Sequence, residues 1–331
     1  MVRAAPSDHI RSETGNAAPV FIDSGCCIRT SPYPGTMIQG CMVRSYESRP
    51  LTLRVGEIHF WNKPVHDLQS QPDILAWLKQ WLTSDSGKCE TLIWNTSLPY
   101  KCSAQSPFQV VDAASIKISR LISIGGNCAS IIESLLLAAH EANYGHQPPI
   151  VCADQFGQLA GNHLSSLTDG LNQWNNAVSI MSTHGVAEKL DVVRFASRTE
   201  PDFHGMLTVS CSNGFDYLKS IAEDRTRFRL DDLDIEIGVI NAVLDHTVDV
   251  RDCLLVVINR ASDRTKALQD RLSIDSENIL SSRTVIGHTG GSDMLYNLSM
   301  AMKKKPSRGQ YIILSANGLG YQWSAVLLRV N

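Results

Sequence analysis

The feature that most constrains this chain is an abrupt switch of periodicity. An apolar, β-rich run from Leu121 to Ile124 stops at Gly125-Gly126. Asn127 and Cys128 follow, and then Ile131, Ile132, Leu135, Leu136 and Ala139 recur at the i, i+3, i+4 spacing of a helix face. Cys128 therefore stands at or just inside a helix N-terminus. A thiol in that place meets unsatisfied N–H groups and the positive end of the helix dipole, which favour the thiolate, the reactive form of the side chain. The placement also suits a cysteine that only packs, because cysteine is among the most often buried residue types. What separates the two readings is a base, and a base has to come from elsewhere in the chain.

Strand and helix patterns alternate on both sides of this turn. Val20 to Ile28 reads as a strand, Ser31 to Gly35 as a turn, and Pro72 to Leu82 as a helix opened by Gln71-Pro72. Thr91 to Asn95 and Pro148 to Ala153 are short apolar strands, and Leu171 to Ser182 carries another in Ala-Val-Ser-Ile-Met. Further on, Ile235 to Leu244 is helical, Cys253 to Ile258 is a buried strand and Arg264 to Leu272 is a helix. A helix from about Ser292 to Met302 follows Gly287-His288-Thr-Gly-Gly, with Lys303 to Lys305 at its C-terminal end, where cations are favourable. Tyr311 to Leu314 and Ser324 to Val330 are two strands around Asn317-Gly318-Leu319-Gly320. This alternation predicts an α/β fold with buried sheets. Residues 1–19 are polar and Ala/Ser-rich, without the apolar core of a signal peptide, and read as a loose tail. The expected division is an N-terminal half at 20–184 holding Cys128 and a C-terminal half at 185–331 holding Asn259 and His288.

Composition narrows the chemistry. The 331 residues suffice for two core-bearing halves, and a net charge of −3 gives no reason to expect nucleic acid or an anionic membrane as partner. No apolar run approaches the roughly 18 to 20 residues of a membrane span. The nine cysteines are scattered with no CxxC among them, which favours reduced thiols in the cytoplasm over disulfides or a zinc knuckle. HExxH, P-loop and GxSxG patterns are absent, so metal, nucleotide-phosphate and serine-hydrolase chemistry have no support in the sequence.

Four segments, in this order, resemble the thiolase superfamily, most closely the ketoacyl synthase III-like enzymes. Asn127-Cys128-Ala-Ser-Ile-Ile-Glu-Ser-Leu-Leu-Leu-Ala-Ala is similar to the nucleophile helix, and Leu254-Leu-Val-Val-Ile-Asn259-Arg to the segment that normally reads Pro-His-Gln-Ala-Asn-x-Arg. Gly287-His288-Thr-Gly-Gly-Ser-Asp is similar to Gly-Asn-Thr-Ser-Ala-Ala-Ser, and Ala316-Asn-Gly-Leu-Gly-Tyr-Gln-Trp to the Gly-rich terminal hairpin. Asn259 stands where ketoacyl synthases III carry histidine, and His288 where they carry asparagine. The order Cys–Asn–His instead resembles thiolases themselves, although Ala316 occupies the position of their second cysteine, which disfavours a thiolase proper.

The resemblance implies two similar βαβαβ-type halves in a five-layered α-β-α-β-α arrangement, with Cys128, His288 and Asn259 as the catalytic set. His288 would activate Cys128, and Asn259 would hold a water that helps bind the thioester oxygen. The N–H groups of Cys128 and of the turn carrying Gly318 and Gly320 would form an oxyanion hole, since glycine allows close backbone approach. The implied substrate is an acyl-CoA or acyl-carrier-protein thioester, with no bound cofactor or metal. The implied activity is acyl transfer or condensation in fatty-acid-like or specialised-metabolite biosynthesis. Coenzyme A-binding pieces of the family are missing near the N-terminus, and Leu171 to Ala177 replaces the usual Gly-Asp-Gly-Ala. Such erosion fits a second reading, a non-catalytic partner in a heteromeric ketosynthase-like complex. Either way a homodimer or a heterodimer with a homologous subunit is expected, joined through the strand Pro149 to Ala153 as an exposed edge.

Overall fold

The structure, a computed structural model, describes residues 36–38, 41–46, 50–61, 71–83, 88–97, 107–155, 176–183, 188–201, 207–212, 215–220, 225–318 and 322–331. The tail at 1–19, the strand at Val20 to Ile28, the turn at Ser31 to Gly35, residues 171–175 and Gly320 lie outside them.

Along the chain come β1 (Thr36–Ile38), β2 (Cys41–Ser45), β3 (Leu51–Val55), β4 (Ile58–Phe60), α1 (Pro72–Leu82), β5 (Lys88–Thr96), α2 (Pro107–Ala113) and β6 (Lys117–Gly125). Next are α3 (Ser130–Asn143), β7 (Ile150–Gln155), β8 (Asn176–Met181), β9 (Glu188–Thr199), the hairpin β10 (Leu207–Ser212) and β11 (Phe215–Ser220), and α4 (Arg225–Leu244). The chain closes with β12 (Cys253–Val257), α5 (Ser262–Leu272), β13 (Ile279–Leu280), α6 (Arg283–Ile286), α7 (Gly291–Lys303), β14 (Tyr311–Gly318) and β15 (Gln322–Val330).

Two sheets carry the fold. One has the order β4-β8-β7-β5-β6, parallel where β5 meets β6 and β7. The other runs β1-β2-β9-β15-β14-β12-β13, with β3 also paired to β9. Pleating sends alternate side chains of each strand to opposite faces, and both faces are covered. In β5, Leu92 and Trp94 meet Ile74 and Leu78 of α1 and Val110 of α2, while Ile93 points the other way, to the central layer. That layer holds α3 and α7: Ile131, Ile132 and Leu135 from one, and Met294, Leu295 and Leu298 from the other. Leu254 and Val256 of β12 reach it from the second sheet, and Leu255 and Val257 face α4 and α5 on the far side. The result is the expected α-β-α-β-α sandwich. Each fully buried aliphatic side chain in it contributes about 1.5 to 3 kcal/mol, so the two central helices are the most strongly held elements.

Two findings correct or extend the sequence expectations. The strand at Pro149 to Ala153 is not an edge. β7 lies inside its sheet, parallel to β5 on one side and antiparallel to β8 on the other. Among the described strands the edges of that sheet are β4 and β6. Strands β1 to β3, at 36–55, belong to the second sheet through β9, so the chain crosses between the layers before β4. Among the described residues no helix is long and apolar enough to cross a membrane.

Candidate active site

The turn between β6 and α3 is shaped by side chains as much as by glycine. Gly126 takes φ 117°, a left-handed conformation that a side chain would strain. The amide oxygen of Asn127 accepts from the Ser130 N–H at 3.1 Å, and Ser130 Oγ donates to the Asn127 carbonyl at 2.7 Å. Together they satisfy one of the free N–H groups of the helix start and hold Cys128 in the turn just before α3, two residues ahead of its first helical residue. Cys128 is 5% exposed. On the other side Asn127 Nδ2 donates to Gln322 Oε1 at 2.7 Å, and Gln322 Nε2 donates to Glu133 at 2.8 Å. The start of β15 is thus tied to the nucleophile turn. Gly318, at the end of β14, packs against the same asparagine, where a Cβ would come within 2.3 Å of Asn127 Oδ1.

His288 arrives from the other half of the chain. Its Nε2 lies 3.5 Å from Cys128 Sγ, and its Nδ1 lies 2.8 Å from Asp293 Oδ2 on the first turn of α7. Asp293 is itself fixed: Oδ2 accepts from the Thr289 N–H at 3.0 Å and Oδ1 from the Asn259 N–H at 3.1 Å. The imidazole is 11% exposed and the carboxylate fully buried. Burial opposes the charged imidazole. The Asp293 carboxylate and the Cys128 sulfur outweigh it by charge and hydrogen bonding, and hold the His288 pKa up at about 10. A histidine between a cysteine and an aspartate, with the carboxylate setting the ring's orientation, is an arrangement that can activate a nucleophile.

Asn259 serves this relay from behind. Its Nδ2 donates to Ser282 Oγ and to the Gly287 carbonyl, and its Oδ1 accepts from Ser281 Oγ, the Ser282 N–H and Asn297 Nδ2. The amide is used up in holding the residue before His288 and the loop beneath it. The structure therefore brings Cys128 and His288 together, sets Gly318 beside the nucleophile turn, and turns the Asn259 amide to this loop. Gly320 is outside the described residues.

Two carboxylates were not singled out from the sequence. Asp293 has a weak signal, an acidic residue in the first turn after His288-Thr-Gly-Gly. Asp154, at the end of β7, has none beyond a charge closing an apolar run. It accepts from the Ser97 N–H (2.6 Å), Ser97 Oγ (3.0 Å), Thr96 Oγ1 (3.1 Å) and the Gly291 N–H (3.2 Å). Burial raises its pKa to about 6 in spite of these bonds. Gly290, at φ 64°, passes so close that a Cβ would lie 2.2 Å from Asp154 Oδ2. This clasp pins the start of α7, and with it the His288 loop, to the first sheet.

Four other thiols among the described residues have no such setting. Cys41, Cys89, Cys152 and Cys253 are buried and unbridged. Burial pushes the Cys89 thiol up to about 11 and the Cys253 thiol up to about 12, and raises those of Cys41 and Cys152. Among the described residues no group of three or more His, Cys, Asp or Glu side chains is placed to hold a metal.

Comparison with known proteins bears on the fold. Residues 245–330, which include Asn259, His288 and Asp293, match the family model described as 3-oxoacyl-(acyl-carrier-protein) synthase III C terminal. No curated protein sequence matches the chain. Among solved structures, 3-oxoacyl-(acyl carrier protein) synthase III from Pseudomonas aeruginosa is similar with a TM-score of 0.63 at 15% identity, covering 85% of this chain and 98% of that one. An OleA variant from Xanthomonas campestris has a TM-score of 0.62 at 13% identity, covering 81% and 84%. The type III polyketide synthase domain of Steely1 from Dictyostelium has a TM-score of 0.58 at 14% identity, covering 79% and 77%. By its architecture, its motif order and these likenesses, the chain has the fold of the thiolase superfamily in its ketoacyl synthase III-like form.

Proposed function

We propose that this protein is an acyltransferase that takes an acyl group from a coenzyme A or acyl-carrier-protein thioester onto Cys128 and passes it on. The observation that carries the reading is the 3.5 Å approach of His288 Nε2 to Cys128 Sγ, with Asp293 on the far ring nitrogen. Cys128 is the nucleophile, and its sulfur attacks the thioester carbonyl. His288 is the acid–base partner that protonates the departing thiol. Gly318 supports an oxyanion hole with the Cys128 N–H, because its missing side chain lets β14 close on the nucleophile turn. Asn259 is a positioning residue for the His288 loop. The N-terminal half at 20–184 supplies the nucleophile and the C-terminal half at 185–331 the base. The competing reading, a non-catalytic partner, has no use for a carboxylate-backed histidine on the cysteine. A second copy, or a homologous subunit, would cover β6, whose outer edge has no partner among the described strands.

The test is intact-mass measurement after exposure of the full chain to a panel of acyl thioesters. A single adduct that maps to Cys128 and disappears in Cys128→Ala is expected. An adduct that survives in that variant, or none with any thioester, overturns the reading.

A further inference from the structure

We infer that the acyl group leaves Cys128 for a hydroxyl or amine acceptor, whose proton His288 takes with Asp293 behind it, and that no carbon dioxide is lost. The inference rests on the proposed acylation of Cys128 and concerns the second half of the reaction.

Two features of the site carry it. The first is the carboxylate on the far side of the imidazole. Asp293 is fully buried and held by two backbone N–H groups, so Nδ1 of His288 bears the hydrogen shared with it, and Nε2 is left as the proton acceptor when the ring is neutral. Such an imidazole is built to remove a proton from an attacking O–H or N–H. The second is the direction of Asn259. Forming a carbon nucleophile by loss of carbon dioxide from a malonyl-type thioester places negative charge on the thioester oxygen, which calls for hydrogen-bond donors converging there and for no base. The Asn259 amide N–H groups are committed to Ser282 and the Gly287 carbonyl, so this side chain supplies no such donor.

Acylation also retunes the base. The Cys128 sulfur is one of the partners holding the His288 pKa high. Once that sulfur carries an acyl group it is neutral, and the ring gives up its proton more readily. The thiol released in the first step takes this proton, leaving His288 neutral for the second.

The steps balance. Cys128 Sγ bonds to the acyl carbon as the carbon–sulfur bond of the donor breaks, and the departing thiolate takes the proton from His288. The acceptor X–H, with X oxygen or nitrogen, then gives its proton to His288 Nε2 as X bonds to the acyl carbon. The carbon–Sγ bond breaks, leaving ester or amide, the Cys128 thiolate and the imidazolium.

The experiment loads the full chain with acetyl- and carboxyl-labelled malonyl-N-acetylcysteamine thioesters and challenges the acyl-enzyme with water, a primary alcohol, a primary amine and thiophenolate. The malonyl adduct is expected to keep its carboxyl group and to release ester, amide or free malonate without labelled carbon dioxide. In Asp293→Asn, transfer to the alcohol and to water should fall by about 10²- to 10⁴-fold. Transfer to thiophenolate, which brings no proton, should hold near its original rate, and a merely structural defect would not make that split. Carbon dioxide release with a carbon–carbon bonded product overturns the inference and leaves Cys128 acylation standing. Equal losses toward alcohol and thiophenolate overturn the base role. Failure to form any Cys128 adduct removes both.

Discussion

Two buried carboxylates flank the start of α7. Asp293 lies on its first turn and faces His288, which can become a cation. Asp154 lies on β7, faces Gly290 and Gly291, and receives only neutral N–H and O–H donors. They share one helix terminus and have similar burial, 0% and 1% exposed. Their partners differ. Asp293 has an ionisable neighbour, so its charge is used on the reacting side of the molecule. Asp154 accepts no hydrogen bond from an ionisable group, and burial drives its pKa up to about 6. Under the proposed function a buried acid with a titratable partner serves chemistry, and one with fixed donors serves as a clasp between layers.

The largest expected effect separates these roles directly. Asp293→Asn should reduce acyl transfer to hydroxyl acceptors by roughly 10²- to 10⁴-fold, while Asp154→Asn should reduce it less than about 10-fold and act mainly on stability. Steady-state kinetics beside urea unfolding would break the comparison if the two variants behaved alike.

The clasp itself comes next. Gly290→Ala forces a side chain into a left-handed backbone position and against Asp154 Oδ2 at 2.2 Å. A loss of roughly 2 to 4 kcal/mol of folding stability is expected, read as a lower urea midpoint at constant slope.

Asp154 and His288 then predict a pH dependence of stability, in different windows. Asp154 binds its proton more tightly folded than unfolded, so stability should fall as pH rises from 3.8 to about 6. The change is on the order of 3 kcal/mol, and Asp154→Asn should remove this window. For His288 the raised folded pKa means that its contribution is complete below about 6.5 and is lost as pH rises through about 10. Thermal unfolding across pH should show this second decline, and His288→Gln should abolish it alone.

The smallest effect tests the link from β15 to the nucleophile. Gln322→Ala leaves Asn127 Nδ2 and Glu133 without their partner, at a cost of about 1 to 2 kcal/mol. Thiol alkylation of Cys128 should change little, since His288 is untouched.

Elements with strong local periodicity were legible in the sequence. α1 has the predicted bounds of Pro72 to Leu82, and the strands at Thr91 to Asn95 and Cys253 to Ile258 appear as the cores of β5 and β12. The apolar face of α3 and the pairing of two distant motifs through Cys128 and His288 followed from pattern and resemblance. β9 was missed, although it pairs with three strands of the second sheet, β2, β3 and β15. Its residues alternate between buried and part-exposed over Leu190 to Arg194, but Asp191 and Arg194 interrupt the apolar run. The edge expected at β7 failed because an apolar strand reads alike whether its neighbours are in the same chain or another. Asp154 and Ser97 stand 57 residues apart, and no local rule joins them. Asn259 was singled out in the sequence, but the direction of its amide depends on Ser281, Ser282 and Asn297, which only folding brings together.

Cys128 and His288, the proposed nucleophile and base, are 160 residues apart in the chain. At about 5 to 20 residues per second of synthesis, Cys128 exists on the order of ten seconds before His288 is made. During that interval it is a cysteine without a partner. The pair forms only when α7 has settled beside α3, after the strands of both halves have been made and stacked. Under the proposed function the Cys128 thiol would therefore gain its base only in a chain whose two halves have already met.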